Sequence, residues 1–288
     1  MSHSDFAELL AVLDLNRIDD NLFIGSHPSK NPVRTFGGQM TAQAYVAGSR
    51  SLDHKLAPSA LSAHFIAGGD PEKDLEFHVV RLRDERRFAN RRVDVMQDGQ
   101  LLTTVMLSYM NGGRGLEHSV PAPDVPHPDT LPKIDELLRG YEKTVPLFVE
   151  ALRPIEWRYT NDPAWVMRDK GGKLDHNRVW LKTEGSMPDD PVLHAAALVY
   201  SSDTTVLDSI ITTHGLSWGF DRIFAVTMNH SVWFHRPIRF DEWVLYSTAS
   251  PVAAESRGLG TGHFFDISGA LLATVVQEGI VKYFPGAK

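Results

Sequence analysis

The amino-acid sequence predicts an α+β protein built as two tandem antiparallel sheets, each wrapping a central helix. Three observations carry that expectation. Asp98-Gly99-Gln100-Leu101-Leu102-Thr103-Thr104-Val105 recurs as Ser268-Gly269-Ala270-Leu271-Leu272-Ala273-Thr274-Val275 at an offset of 170 residues, and each copy reads as a hairpin turn followed by a strand. Each copy is preceded by a helical stretch of small residues, Gly37 to Ser49 and Pro191 to Leu207. Between them, from Asn111 to Pro132, prolines crowd a segment that divides the chain near its middle. The expected organisation is an N-terminal unit over 1–110, a proline-rich linker with a helix over 111–150, and a C-terminal unit over 151–288.

At the start of the chain, Ser4 is placed to cap a first helix, with Asp5 and Glu8 in its positive first turn and Phe6, Leu9, Leu10 and Leu13 at helical spacing. After the Gly37–Ser49 helix, Phe65 opens a strand-turn-strand passage that continues through Leu75 to Val80; Phe234 opens its counterpart, continued by Trp243 to Ser247. The second central helix is announced by Asp189 and Asp190 ahead of Pro191, a cap followed by the residue favoured at the first helical position. No Lys or Arg occurs between Thr183 and Asp221, and Ala195, Ala196 and Ala197 permit close backbone approach. Such a helix should be wrapped by sheet.

Composition narrows the function. The chain has 288 residues, 42% hydrophobic and 23% charged, which suits a sizeable core and not a disordered chain. The absence of cysteine removes disulfides, thiolate metal sites and a cysteine nucleophile together. A net charge of −7 offers no positive field for a nucleic-acid backbone, so nucleic acid is not an expected partner. No stretch reaches the ~20 apolar residues of a spanning helix. The N-terminus carries acids where a secretory signal needs positive charge, and Gly286-Ala287-Lys288 matches none of the retention or peroxisomal addresses. A cytoplasmic protein without a membrane partner is expected.

Three residues stand out chemically. On a helix, Asp203 has Val199, Tyr200, Val206 and Leu207 as neighbours three and four positions away, whereas Asp208 sits among Thr204, Thr205 and Thr212. Asp203 should point inward and Asp208 should not. A buried carboxylate without a cation costs several kcal/mol or takes up a proton, so Asp203 is either a hydrogen-bonded structural acid or a functional one. The strand from Ala225 offers a polar row, Ala225, Thr227, Asn229 and Ser231, alternating with Val226, Met228, His230 and Val232; Thr227 either reaches a buried site or fills a strand. The last strand, apolar on both faces from Leu271 to Val276, is interrupted by Gln277-Glu278-Gly279. Under the repeat, Gln277 corresponds to Leu107. An amide in one half only marks a site in the second half, or a strand emerging into solvent.

Other patterns carry less. Gly215-Leu216-Ser217-Trp218-Gly219 fits G-x-S-x-G, but a nucleophile elbow needs a strand before the serine and a helix after it, and here the stretch after the serine, Phe224 to Phe234, is strand-like. Gly258-Leu259-Gly260-Thr261-Gly262 lacks the spacing of a dinucleotide motif and the Gly-Lys-Ser/Thr of a P-loop, and reads as a bent or bulged strand. His230 and His235 lie on opposite strand faces with no carboxylate at ligand spacing, so no metal is expected. Arg81, Arg83, Arg86, Arg87, Arg91 and Arg92 form the densest positive patch, either a dock for an anionic substrate or, given Asp84, Glu85 and Asp94 among them, a self-paired strand surface.

Together, Phe36-Gly37-Gly38-Gln39, Leu82-Arg83-Asp84, Arg91-Arg92-Val93, Ser186-Met187-Pro188-Asp189-Asp190, Ser202-Asp203, His230-Ser231-Val232-Trp233-Phe234-His235-Arg236-Pro237 and Thr274-Val275-Val276-Gln277-Glu278-Gly279 resemble the type II acyl-CoA thioesterases, the TesB-like family, in order and spacing over nearly the whole chain. The resemblance implies a double hotdog fold and hydrolysis of fatty acyl-CoA to free acid and CoA without a cofactor. It further implies a catalytic set of Asp203, Thr227 and Gln277 in the C-terminal unit, and a homo-oligomer, dimer or tetramer. Two departures lie in the first half: Ala67-Gly68-Gly69-Asp70 stands where members often read Arg-Pro-Gly-Asp, and Met110 where a Gln often ends the strand.

The expected chemistry is attack on the thioester carbonyl by a water that Asp203 activates as general base and Thr227 and Gln277 orient; direct attack by Asp203 through an anhydride is the alternative. The rivals are a serine hydrolase using Ser217 and a non-catalytic acyl-CoA-binding protein. A hotdog hydratase would need His five residues after the Asp, where this chain has Asp208.

Overall fold

The structure is a computed structural model and describes residues 3–28, 34–146 and 154–286. In chain order the first half holds α1 (His3–Leu13), β1 (Asn16–Arg17), β2 (Leu22–Gly25), α2 (Gly37–Arg50), β3 (Pro58–Phe65), β4 (Leu75–Asp84), β5 (Phe88–Gln97) and β6 (Gln100–Met110). After a 3-10 turn (Pro128–Thr130) and α3 (Ile134–Leu138) come β7 (Ile155–Tyr159), α4 (Ala164–Asp169), β8 (His176–Thr183), α5 (Pro191–Ser202), α6 (Asp208–Thr213), β9 (Ile223–Phe234), β10 (Val244–Ala254), β11 (Arg257–Asp266) and β12 (Leu271–Tyr283). Among the described residues the strands pair antiparallel in the order β1-β2-β4-β5-β6-β3-β9-β12-β11-β10-β8-β7. The two expected sheets are therefore fused edge to edge, through β3 and β9, into one sheet.

That junction is a pseudo-twofold axis. Ser62 pairs with Ser231, its own counterpart at an offset of 169, and their hydroxyls lie 2.8 Å apart. Outward from this pair, Ala60 opposes Trp233 and His64 opposes Asn229. The halves share even their irregularities. In the first, Leu61 pairs Leu107 and Ala60 pairs Ser108, then the register slips one residue so that Pro58 pairs Tyr109. In the second, His230 pairs Gln277 and Asn229 pairs Glu278, then the register slips so that Thr227 pairs Gly279. Such bulges re-aim side chains.

Turn chemistry places the hairpins. Asp98 and Gly99 both have positive φ, 49° and 78°, the pair of left-handed residues that a two-residue turn needs between twisted strands. The repeat's other turn closes through Gly269 at φ 87°. Phe65 and Phe234 do end up equivalent, but as the last residues of β3 and β9 instead of the first residues of a passage. α2 is buried at every residue from Gly38 to Gly48, packs directly on α5, and shares with it one apolar core drawn from both halves, including Val46, Leu61, Val93, Val199, Val232 and Val275.

Three expectations need correction. α1 begins at His3, so Ser4 lies inside the helix and not at its cap. The second central helix stops at Ser202, five residues before Leu207, and a new helix begins at Asp208. β12 is not interrupted at Gln277: it runs unbroken to Tyr283 and only its register slips. The glycines of β11 lie where the β10–β11 register shifts, between Ala249 and Val252, as expected of a bulged stretch, and they also serve close packing. A Cβ on Gly258 would lie 2.6 Å from Ile210 of α6, one on Gly260 2.7 Å from Val206, and one on Gly262 2.5 Å from the Tyr246 ring. The proline-rich segment is a strap: Ala122, Val125 and Leu131 cover Trp180, Leu245 and Phe265 on the outer face of the sheet, and the Trp180 indole N–H donates to Pro126 O at 3.0 Å.

Candidate active site

Where α5 ends, β9 and β12 run beneath it, and Asp203, Thr227 and Gln277 meet. Asp203 is the C-cap of α5. Gln277 is fully buried and points inward; its Nε2 donates to Asp203 Oδ1 and to Thr227 Oγ1, both at 2.8 Å. Thr227 Oγ1 lies 3.4 Å from Asp203 Oδ1. The bulge explains Thr227. The unbroken alternation would place it on the same face as Asn229 and Ser231, but the slip between Asn229 and Thr227 turns it inward while those two stay outside, Asn229 on Glu278 at 3.3 Å and Ser231 on Ser62. The expected four-residue polar row is thus split.

The first half contributes as well. Phe36, at the start of α2, supplies no side-chain cap, so the helix begins with unpaired N–H groups. Asp203 fills that role from the other half, accepting from the Gly38 N–H. The close approach demands glycine: a Cβ on Gly37 would sit 2.7 Å from Asp203 Oδ2, and one on Gly38 2.5 Å from Tyr200 O. Phe36 seals the contact edge-on against Tyr200, ring centroids 5.2 Å apart.

Electrostatics set Asp203 apart. Burial pushes its carboxyl up to about 6, against the pull of hydrogen bonds from Gln277, Gly38 and Thr227. Among the described ion pairs none includes it. A carboxylate poised near neutrality, held by neutral donors, is suited to taking a proton.

Behind Gln277 lies a residue that sequence reasoning weighed only as a metal ligand. His230, fully buried, places Nδ1 2.5 Å from Gln277 Oε1 and Nε2 2.7 Å from Ser202 Oγ. The repeat contained the signal that would have found it: the pair His230–Gln277 replaces Leu61–Leu107. Gly37 and Gly38 belong to a family-like motif, but the sequence alone attached no role to them.

The remaining candidates separate cleanly. Asp208 is buried, contrary to expectation, because the helix it was projected on ends before it; its Oδ1 accepts from the Trp218 indole at 2.6 Å, and burial pushes its carboxyl up to about 7. Ser217 is fully buried, follows a helix and donates its hydroxyl to Trp218 O at 3.0 Å, which removes the serine-hydrolase reading. The arginine patch is largely self-paired: Arg81 on Asp53, Arg83 on Glu85, Arg92 on Asp94 and the buried Arg91 on Asp84. Among the described residues no group of three His, Asp or Glu is arranged to hold a metal, and no helix is long and apolar enough to cross a membrane.

Comparison with known proteins places this geometry. Residues 148–280 match the acyl-CoA thioesterase family and residues 27–110 the acyl-CoA thioesterase N-terminal domain. Acyl-CoA thioesterase 2 of Haemophilus influenzae is 30% identical across 96% of this chain and 97% of its own. Human acyl-coenzyme A thioesterase 8 is 30% identical across 95% and 88%. The crystal structure of the acyl-CoA thioesterase II TesB2 of Mycobacterium marinum superposes with a TM-score of 0.78 at 31% identity, covering 97% of this chain and 99% of that one. With fold, motifs and length in agreement, the chain belongs to the type II acyl-CoA thioesterases, the TesB-like family of double hotdog enzymes that hydrolyse acyl-CoA.

Proposed function

We propose that the enzyme hydrolyses fatty acyl-CoA by direct attack of one water, with Asp203 as general base and Thr227 and Gln277 as the groups that hold and aim that water. The convergence of the three side chains within hydrogen-bond reach at the end of α5 carries this reading. Both Gln277 amide protons are committed to Asp203 and Thr227; a water entering the cluster takes over one of them and donates to the carboxylate.

The water's proton passes to Asp203, and its oxygen bonds to the carbonyl carbon. The C–S bond then breaks with its electron pair on sulfur, and the proton returns to the thiolate or to solvent. A thiolate leaves readily, so no strong general acid is needed. Developing negative charge on the carbonyl oxygen meets the N-terminus of α2, whose positive end already faces this corner. Placement of the three groups replaces entropy otherwise lost in the transition state.

The same reading assigns the chain two hotdog units, 1–110 and 151–288, joined by 111–150, with the chemistry in the second. It also assigns a cytoplasmic homo-oligomer, dimer or tetramer. Met106 and Trp233, each about 40% exposed beside the dyad on the outer face of the sheet, support a face available for pairing.

Release of CoA, measured with a thiol reagent over short, medium and long acyl chains, tests the assignment. Asp203→Asn should lower kcat by about 10²–10⁴-fold, the usual worth of a general base, and Ser217→Ala should leave it within about twofold. Full activity in Asp203→Asn would refute the site.

A further inference from the structure

We infer that His230, fixed by Ser202, is a positioning residue: as the neutral Nδ1–H tautomer it locks the Gln277 amide so that its NH2 end faces Asp203 and Thr227. The inference rests on the proposed place of Gln277 in the catalytic set.

An amide has two ends that differ only in chemistry. Rotated by half a turn, Gln277 would present Oε1 to the Asp203 carboxylate, acceptor against acceptor, and could neither hold the base nor aim a water. Something must distinguish the ends. The side-chain partner of Oε1 is His230 Nδ1, 2.5 Å away, and because Oε1 can only accept, Nδ1 must carry the proton.

Ser202 then settles the other nitrogen. Its single hydroxyl proton has two acceptors at 2.7 Å, Val199 O and His230 Nε2. With the ring proton on Nδ1, Nε2 is a bare lone pair, and a serine that donated to Val199 would set oxygen against nitrogen with no proton between them. The proton goes to Nε2. The resulting chain has one direction: Ser202 O–H to His230 Nε2, His230 Nδ1–H to Gln277 Oε1, Gln277 Nε2–H to Asp203 and Thr227.

Ser202, His230 and Gln277 are all fully buried. Burial holds the imidazole neutral by pushing its pKa down to about 4, so the tautomer persists across the working pH range. Ser202 is also held in place: the Tyr246 hydroxyl donates to Ser202 O at 2.7 Å, and Tyr246 is stacked on Phe264 with centroids 4.0 Å apart. In the half without the catalytic set, the two strand positions that correspond to His230 and Gln277 are Leu61 and Leu107. Histidine occurs where there is a glutamine to orient, and leucine where there is none.

Three substitutions at one position separate orientation from packing. His230→Leu installs the residue of the other half and removes the donor. His230→Asn keeps an N–H near the Nδ1 position, whereas His230→Gln carries its amide nitrogen toward the Nε2 position. Kinetics on an acyl-CoA series should show kcat reduced about 10- to 100-fold in His230→Leu and His230→Gln, KM within about threefold, and most of the loss recovered in His230→Asn. Gln277→Ala provides the reference. Adding His230→Leu to it should cost nothing further, since His230 acts through Gln277.

Equal losses in His230→Asn, His230→Gln and His230→Leu, or an additive loss on the Gln277→Ala background, would overturn the inference in favour of packing. If His230→Leu does not fold, the Asn and Gln variants, compared at matched thermal stability, decide the matter alone. Full activity in Gln277→Ala would instead mean that the catalytic reading itself is wrong; loss in Gln277→Ala with none in His230→Leu would refute only the role of His230.

Discussion

Among the described residues no cation pairs with Asp203, and its three donors are an amide, a hydroxyl and a backbone N–H. Because burial raises its pKa to about 6, the proposed base is ionised at neutral pH yet basic enough to take a proton from water in the transition state. The acid limb of kcat/KM should therefore fall about tenfold per pH unit below roughly 6 and level off above it. A profile flat to pH 4.5 would exclude Asp203 as the base. At this scale the sequence singled out the three groups proposed to touch the reacting atoms: an acid on an apolar helix face, a hydroxyl in an alternating polar row, and an amide where the repeat has leucine. His230 broke the same pattern at Leu61, but a lone histidine was weighed only against metal ligation.

At the scale of elements, the site is the contact between the start of α2 and the end of α5. Gly37 and Gly38 permit it, and Asp203 caps α2 while, in the proposed mechanism, facing the substrate. Gly37→Ala should push the carboxylate aside, since the new methyl meets the mobile end of the Asp203 side chain at 2.7 Å and not backbone. The expected result is a kcat loss of about 10- to 100-fold from misplacement with secondary structure unchanged by circular dichroism; unaltered kcat would contradict the contact. Two element-level expectations failed for one reason. Helical projection ran through Ser202 as though the helix continued, which put Asp208 outside, and strict alternation ran through Met228, which put Thr227 in one row with Asn229 and Ser231. Helix ends and bulges change which way side chains point without any change in composition.

For the whole molecule, the 170-residue offset and the proline-rich divider made the duplication legible, and the register confirms it down to equivalent bulges. What the sequence did not reveal is that the copies join edge to edge through β3 and β9 and share one core, since local patterns say little about which strand edges meet. That shared core should make thermal unfolding a single calorimetric transition; two resolved transitions would show the halves to be independent. The duplication also explains the asymmetry. With Pro58, Leu61 and Leu107 at the positions equivalent to Thr227, His230 and Gln277, the first half keeps the architecture, lends its helix start to the second half and carries at those positions no counterpart of the proposed catalytic set.

A single turnover in ¹⁸O-water, with enzyme in excess over acyl-CoA, tests the central claim most directly. Attack on the thioester carbonyl by a water held by Asp203 places one labelled oxygen in the released fatty acid and none in the protein. Label recovered in the Asp203 carboxylate, by mass spectrometry of its peptide, would mean that the carboxylate itself attacks the thioester and would contradict the account.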